Sequence, residues 1–301
     1  MRFDCVVSHH HNIHTCGVAR FNRYLADHLG IPMARISESI AQIYQHPLVS
    51  IKTNEMSPDS LDTLRRALTG DFTLILHDYS GIDAEHDLVG RASSVMALNG
   101  QMASKMSHLR SDIIVGFSPG ARPTDEIRHQ SQMRLITFGM AHKIQSAGYR
   151  RVGDLLKRDE RDFILEISSA LHEGTDFDDE FFSVGREISS CFGGKVDFLG
   201  FLADAEVSRR LLNAHAMLAF FPEGARENNN SVASAMAHGL PVVTNLDRWS
   251  PKWMVHGTTV FDINRLEVFP SDDDLKSVGL AAREATRELD YVSLLQCFSG
   301  K

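Results

Sequence analysis

The sequence predicts an α/β protein of two doubly wound domains, each a parallel sheet with helices on both faces, facing one another across a cleft. Three observations carry that prediction. Short apolar, β-branched runs alternate with helix-period segments from one end of the chain to the other. No internal repeat, low-complexity tract or long structureless loop interrupts the alternation. The 301 residues leave room for two domains of roughly 130–170 residues each. The turn formers of Ser118-Pro-Gly-Ala-Arg-Pro123 supply a break near the middle. Domains are therefore expected at 1–122 and 123–301.

In the first half, Phe3–Ser8 reads as the opening strand, and the loop after it carries His9, His10, His11 and His14. Gly17–Leu29 reads as a helix with Val18, Phe21, Leu25 and Leu29 on one face and Gly30 as its stop. Strands are expected at Met33–Ile36, Leu48–Lys52 and Phe72–Leu76, with a helix from Pro58 to Leu68 before the last of them. His77, Asp78 and Tyr79 then fall at a strand's carboxyl end, the edge where open parallel sheets bind ligands. His86–Met106 reads as a helix interrupted near Asn99, and Asp112–Gly116 as the last strand of this half.

In the second half, strands are expected at Arg134–Phe138, Phe163–Ser168 and Val196–Leu199, and helices at Tyr149–Lys157, Asp178–Phe192, Ala205–Ala214 and Asp272–Glu288. The most informative stretch is Met217–Asp247. Met217–Phe221 reads as a buried strand, followed by a polar loop from Glu223 to Asn230. Ser231 opens a helix of small residues, Val232–His238, which Gly239 and Pro241 end before the strand Val242–Thr244. Arg226, three asparagines and Ser231 precede that helix. A guanidinium, neutral donors and free backbone N–H groups at one helix start suit an anion, and a nucleotide diphosphate is the natural guest.

Composition narrows the partners. A net charge of −8 argues against nucleic acid and leaves a local, peripheral membrane contact open. Cys5, Cys16, Cys191 and Cys297 show no C-x-x-C spacing and read as thiols of a reducing compartment. No leader precedes Phe3 and no apolar run reaches the roughly 18 residues of a spanning helix, so a cytoplasmic protein is expected. The histidine loop contains no Asp or Glu and lies on no helix that would fix its spacing, so it reads as polar lining and not as a metal site. Trp249 and Trp253 read as packing residues.

Pro222-Glu-Gly224 followed by Ser231-x-Ala-x-Ala-Met-Ala-His-Gly-Leu-Pro-Val-Val-Thr244 resembles the donor signature of GT-B retaining glycosyltransferases (group 1, family 4-like), usually E-G-x6-E-A-M-A-x-G-x-P-V-V. The match over Ala235–Val243 is close. Ser234 stands where the family has its second Glu. Counting back to the first Glu lands on Arg226, and Glu223 fits that place only with a loop three residues longer. Arg-x-Asn-Asn-x-Ser is similar to a subgroup in which a basic or amide loop replaces the paired acids. Cys16-Gly-Val-Ala19 with Leu25-Ala26 resembles the family's first β–α turn, Cys16 replacing one glycine. Gly139-Met-Ala-His-Lys143 is similar to its G-R-x4-K-G, with Met140 at the Arg and a shorter spacer.

The resemblance implies a GT-B fold of two Rossmann-like domains, with a terminal helix (about 272–295) crossing back to the first. It implies a UDP- or GDP-sugar as donor substrate, with no cofactor and no metal. Gly17, Lys143, Arg226, Asn229, Asn230 and Ser231 would bind the donor diphosphate. His77 and Glu223 would position the sugar while an acceptor hydroxyl attacks from the front face and the leaving phosphate serves as base. The acceptor is left open among a glycan, a lipid-linked sugar and a small molecule. The departures at Ser234 and Met140 motivate a second reading, a non-catalytic partner of the same fold; a third is a nucleotide-sugar epimerase or hydrolase of the same architecture.

Overall fold

The computed structural model describes residues 2–14, 16–37, 39–123, 132–140, 145–170 and 179–299. The chain forms two compact units. The first runs through Pro119 and resumes at Leu289, and the second spans Gly120–Glu288.

The first unit is built on six parallel strands: β1 (Cys5–Ser8), β2 (Met33–Arg35), β3 (Pro47–Ile51), β4 (Thr73–Leu76), β5 (Ser94–Ala97) and β6 (Ile114–Val115), in the order β2-β1-β3-β4-β5-β6. Val6 pairs with Met33 on one side and Leu48 on the other. Successive side chains of a strand point to opposite faces, and both faces are dry here. Cys5, Val7, Val49, Ile51, Leu74 and Leu76 pack with Leu61, Leu64 and Leu88. Val6, Leu48, Ile75 and Met96 pack with Phe21, Leu25 and Leu294. Burial on both faces is why these strands are continuous apolar runs and not alternating ones.

The second unit repeats the plan with β7 (Met133–Met140), β8 (Phe163–Ala170), β9 (Val196–Phe198), β10 (Ala216–Leu218), β11 (Val242–Thr244) and β12 (Phe261–Asp262), in the order β12-β11-β10-β7-β8-β9. All pairings are parallel. Counted within its own unit this is 6-5-4-1-2-3, the dinucleotide-fold order, whereas the first unit is 2-1-3-4-5-6, the order of flavodoxin-like sheets with one more strand. Both sheets are Rossmann-like, and each has a point where strand order reverses: between β1 and β3 in the first, between β7 and β10 in the second.

The sequence expectation fails at one internal element. Val95, Met96 and Ala97 form β5 in place of the middle of a long helix, flanked by the helices Asp83–Arg91 and Gly100–Met106. All three are fully buried, and a run that short shows no period to separate strand from helix. Asn99, read as an interruption, is the N-cap of the second helix, its Oδ1 accepting the Met102 N–H at 2.8 Å. Two further elements carry too few residues to read from pattern: β12 and the helix Tyr291–Gln296, whose Leu294 is fully buried in the first unit. The helix Asp272–Ala285 belongs to the second unit, where Leu275 and Val278 join its core. Among the described residues no helix is long and apolar enough to cross a membrane.

Candidate functional site

In the second unit the chain leaves β10 at the strand-reversal point and forms the loop that ends at the helix Asn230–Ala237. Asn245, just past β11, clasps the start of this loop: its Oδ1 accepts the Phe221 N–H (2.9 Å), its Nδ2 donates to the Phe221 carbonyl (2.7 Å), and its own carbonyl accepts the Ala225 N–H (2.9 Å). Gly224 turns the chain with φ 92°, a conformation open to glycine and costly for other residues.

Arg226 is buried at 7% exposure and faces inward. Its two terminal nitrogens donate to both oxygens of Asp247 (2.7 and 2.8 Å) and to the carbonyls of Ala225 (3.0 Å) and Glu223 (2.6 Å). This is a bidentate, charge-assisted brace. Burial works to raise the Asp247 carboxyl, and the hydrogen bonds from Arg226, Trp249 and Ser250 outweigh it, so its pKa lies below the usual value. The geometry gives Arg226 to the loop's shape, with its guanidinium forks taken up by Asp247 and backbone oxygens.

The helix starts two residues earlier than the pattern predicts. Asn229 occupies the N-cap position and its Oδ1 accepts the Arg226 N–H at 2.6 Å, while Asn230 and Ser231 fall in the first turn. The Asn229 side chain makes no cap bond to the helix and folds back on the loop instead. Asn230 is exposed, Asn229 and Ser231 are half-buried, and Glu223 is exposed at the loop's outer turn. Behind them, Val232, Ala233, Ser234, Ala235 and Met236 are all buried.

Ser234 has a structural task. Its Oγ accepts the Ala121 N–H at 2.9 Å, and Gly120 lies so close that a Cβ there would fall 2.4 Å from the Ala233 carbonyl carbon. A glutamate at 234 would meet this backbone. The departure from the family pattern is therefore coupled to a chain segment pressed on the helix. His238 ends the helix with Nδ1 2.7 Å from the Ser234 carbonyl and Nε2 2.7 Å from Ser208 Oγ; burial pulls its pKa down. Lys143 lies outside the described residues, and β7 ends at Met140.

In the first unit, His77 sits at the carboxyl end of β4. Its N–H donates to the Ile51 carbonyl (3.0 Å), its Nε2 lies 3.0 Å from Ser50 Oγ, and its ring meets Phe21 edge-on at 4.8 Å between centroids. Asp78 serves as a turn cap, accepting the N–H groups of Thr53 (2.7 Å) and Asn54 (3.0 Å); burial nevertheless raises its carboxyl above the ordinary range. Gly17 is exposed at the start of the helix Gly17–Leu29, and a Cβ added there would meet nothing within 4 Å. Neither packing nor a left-handed backbone requires glycine at that position.

Sequence reasoning missed Asn245, Asp247 and the Gly120–Ala121 contact. The first two were findable as residues of a carboxyl edge, since both follow a predicted strand, but their partners across the loop were not.

No protein-family model matches the chain, and no curated protein matches it in sequence. Solved structures do match, and glycosyltransferases are among them. Sucrose-phosphate synthase from Thermosynechococcus elongatus superposes with a TM-score of 0.73 at 11% identity, covering 99% of each chain. Anabaena HepE, solved in complex with UDP and glucose, gives 0.68 at 14% identity over 99% of this chain and 98% of its own. TarM gives 0.62 at 14% identity over 94% of this chain, which spans 57% of the TarM chain. The fold is thus the GT-B fold of two Rossmann-like domains.

Proposed function

We propose that this protein is a retaining glycosyltransferase that moves a sugar from a nucleotide diphosphate sugar to an acceptor hydroxyl. The observation that carries the reading is the loop Glu223–Asn229: it leaves β10 at the reversal point of a dinucleotide-order sheet and feeds a helix start, the place where such sheets take phosphates. The likeness to HepE, solved with UDP and glucose, supports a UDP-sugar over other donors.

The chemistry asks for stabilisation of a departing diphosphate. Charge develops on its oxygens in the transition state, so donors fixed in advance lower the barrier more than they tighten ground-state binding. In this reading the amides and side chains of Asn229, Asn230 and Ser231 meet the diphosphate, with Lys143 adding a positive charge. Arg226 holds their geometry through Asp247. Glu223 accepts hydroxyls of the donor sugar. Gly17 lets the substrate approach the backbone closely. The acceptor hydroxyl attacks from the face the diphosphate leaves, and the leaving phosphate takes the proton.

Calorimetric titration with UDP and GDP, followed by a hydrolysis screen of nucleotide sugars, tests the proposal. Binding of one nucleotide with slow release of one sugar is expected. No binding of either nucleotide would overturn it. A second reading, a non-catalytic protein of the same fold, is favoured by Ser234 standing in place of an acid and bonding Ala121. Nucleotide binding with no sugar release from any donor would select it.

A further inference from the structure

The loop after β1 and the turn after β3 lie where strand order reverses in the first sheet. Side chains from these two segments converge there. One ligating atom each of His10, Cys16 and Glu55 lies within 4.8 Å of the others, and His10 Nε2 stands 3.2 Å from Glu55 Oε2. Ligands at 2.0–2.3 Å around a tetrahedral ion stand about 3.3–3.7 Å apart. The His10–Glu55 edge already has that length, and the sulfur needs about 1 Å of adjustment or less.

Each group is held from behind. Ser8 Oγ donates to the His10 carbonyl (2.6 Å) and is itself fixed by Asn22 Nδ2 (2.8 Å). Cys16 is 2% exposed and its N–H donates to the Asn12 carbonyl at 3.1 Å. Glu55 ends the short turn Thr53–Glu55, which Asp78 pins through two amides. Lys52 donates to Glu55 Oε1, while Oε2 faces the imidazole. These contacts fix the backbone that carries His10 and Cys16, and one oxygen of the Glu55 carboxylate.

We propose that His10, Cys16 and Glu55 form a zinc site with an open fourth position, contained wholly in the first unit. One sulfur, one nitrogen and one oxygen suit zinc and argue against magnesium or calcium, which take oxygen ligands. Binding deprotonates the thiol: the sulfur–metal bond forms, the proton goes to solvent and no electron moves. Lys52 keeps its place on Oε1 as Oε2 turns to the ion. The Thr53–Glu55 turn is then tied to the first β–α loop, a link between segments about 40 residues apart that hydrogen bonds alone make weakly.

The test uses the full chain without a histidine tag, titrated with zinc against a chromophoric chelator and separately with cobalt(II). One equivalent per chain and a near-ultraviolet thiolate-to-cobalt band are expected. Loss of a supporting contact costs 10–100-fold in metal affinity, so His10→Ala, Cys16→Ala and Glu55→Gln should each weaken zinc by about 100-fold or more. Variants count when their metal-free circular dichroism and melting match wild type; if Cys16→Ala does not fold, the cobalt band of the wild-type chain decides. His9→Ala/His14→Ala should bind as wild type does. Sub-stoichiometric zinc, a cobalt complex without the sulfur band, or loss of binding in the His9/His14 variant would overturn the site. None of these readouts depends on sugar transfer.

Discussion

The two sheets finish their carboxyl edges in different ways. In the first unit the loops beyond β1, β3 and β4 carry ionisable side chains, held by buried carboxylates. Glu85, fully buried, accepts the N–H groups of Ser80 (3.0 Å), Gly81 (2.6 Å) and Ile82 (3.1 Å), and Thr53 Oγ1 donates to it as well. In the second unit the loop beyond β10 is shaped by backbone contacts, the side-chain amides of Asn245 and Asn229, and one ionic brace, Arg226–Asp247. Side chains at the first edge can ligate or change protonation. The second edge offers main-chain geometry, whose accuracy rests on few contacts and tolerates little intrusion.

The strongest way to break that contrast is to introduce the acid of the donor signature that the sequence resembles. Ser234→Glu places a carboxylate at a site 3% exposed, removes the acceptor for Ala121 and crowds a backbone with no free volume around Gly120. A buried charge without a partner costs several kcal/mol, so a loss of about 3–5 kcal/mol is expected from denaturant unfolding of the second unit. A wild-type midpoint would mean that the Gly120–Ala121 segment gives way and that the close packing is not essential.

Leu294→Ala addresses the other unit. Leu294 is fully buried against Phe21, Leu25 and Met96, and truncating a buried leucine costs about 2–5 kcal/mol. The loss should fall on the first unit alone, so hydrogen exchange should rise in β1, β3 and β5 while β7, β10 and β11 stay protected. Equal loosening of both sheets would refute the assignment of this helix to the first core.

How far the fold was legible follows from what each element asks of its residues. Strands buried on both faces announce themselves as apolar runs beside Gly or Pro, and β1, β3, β4, β7, β8, β10 and β11 read within a few residues. The helix Gly17–Leu29 showed its period and its stop at Gly30, whose φ is 66°. β5 did not, because three buried residues after a serine carry no period. At the site, the loop and its helix were legible as a pattern, but the partner of Arg226 was not. Asp247 lies 21 residues on, and nothing local marks a pair joined only through two adjacent strands. The same holds for Glu55, which supplies the carboxylate that the histidine loop lacks in sequence.

Arg226→Ala sharpens the contrast at smaller cost. It removes a bidentate pair and two carbonyl contacts. Asp247 remains about one-third exposed, so the loss should be discounted to about 2 kcal/mol or less. Nucleotide affinity should fall by more than stability does, and Arg226→Lys should not restore it, since a lysine cannot reproduce the fork. Unchanged nucleotide affinity in Arg226→Ala would remove the loop brace from the proposed mechanism. Acid should act on the same pair. A carboxyl whose folded pKa is depressed contributes stability fully present above its unfolded pKa of about 3.9, lost as pH falls through the folded value. Urea midpoints of wild type and Asp247→Asn should therefore differ near pH 6, and the gap should start to close only as pH falls below about 4. A constant gap would place the contribution of Asp247 in contacts other than its charge.

The smallest effect on stability is expected where the first edge meets solvent. Gly17 stands at a helix start with room for a Cβ on every side, and alanine is the better helix former. Gly17→Ala should thus change unfolding free energy by no more than about 0.5 kcal/mol, in the stabilising direction. A glycine that the chain's own packing does not need is then free to serve something that approaches it from outside, and the added methyl should lower sugar transfer while leaving the melting temperature where it was. If transfer and stability are both untouched, Gly17 has no part in substrate approach, and the first edge contributes through its side chains alone.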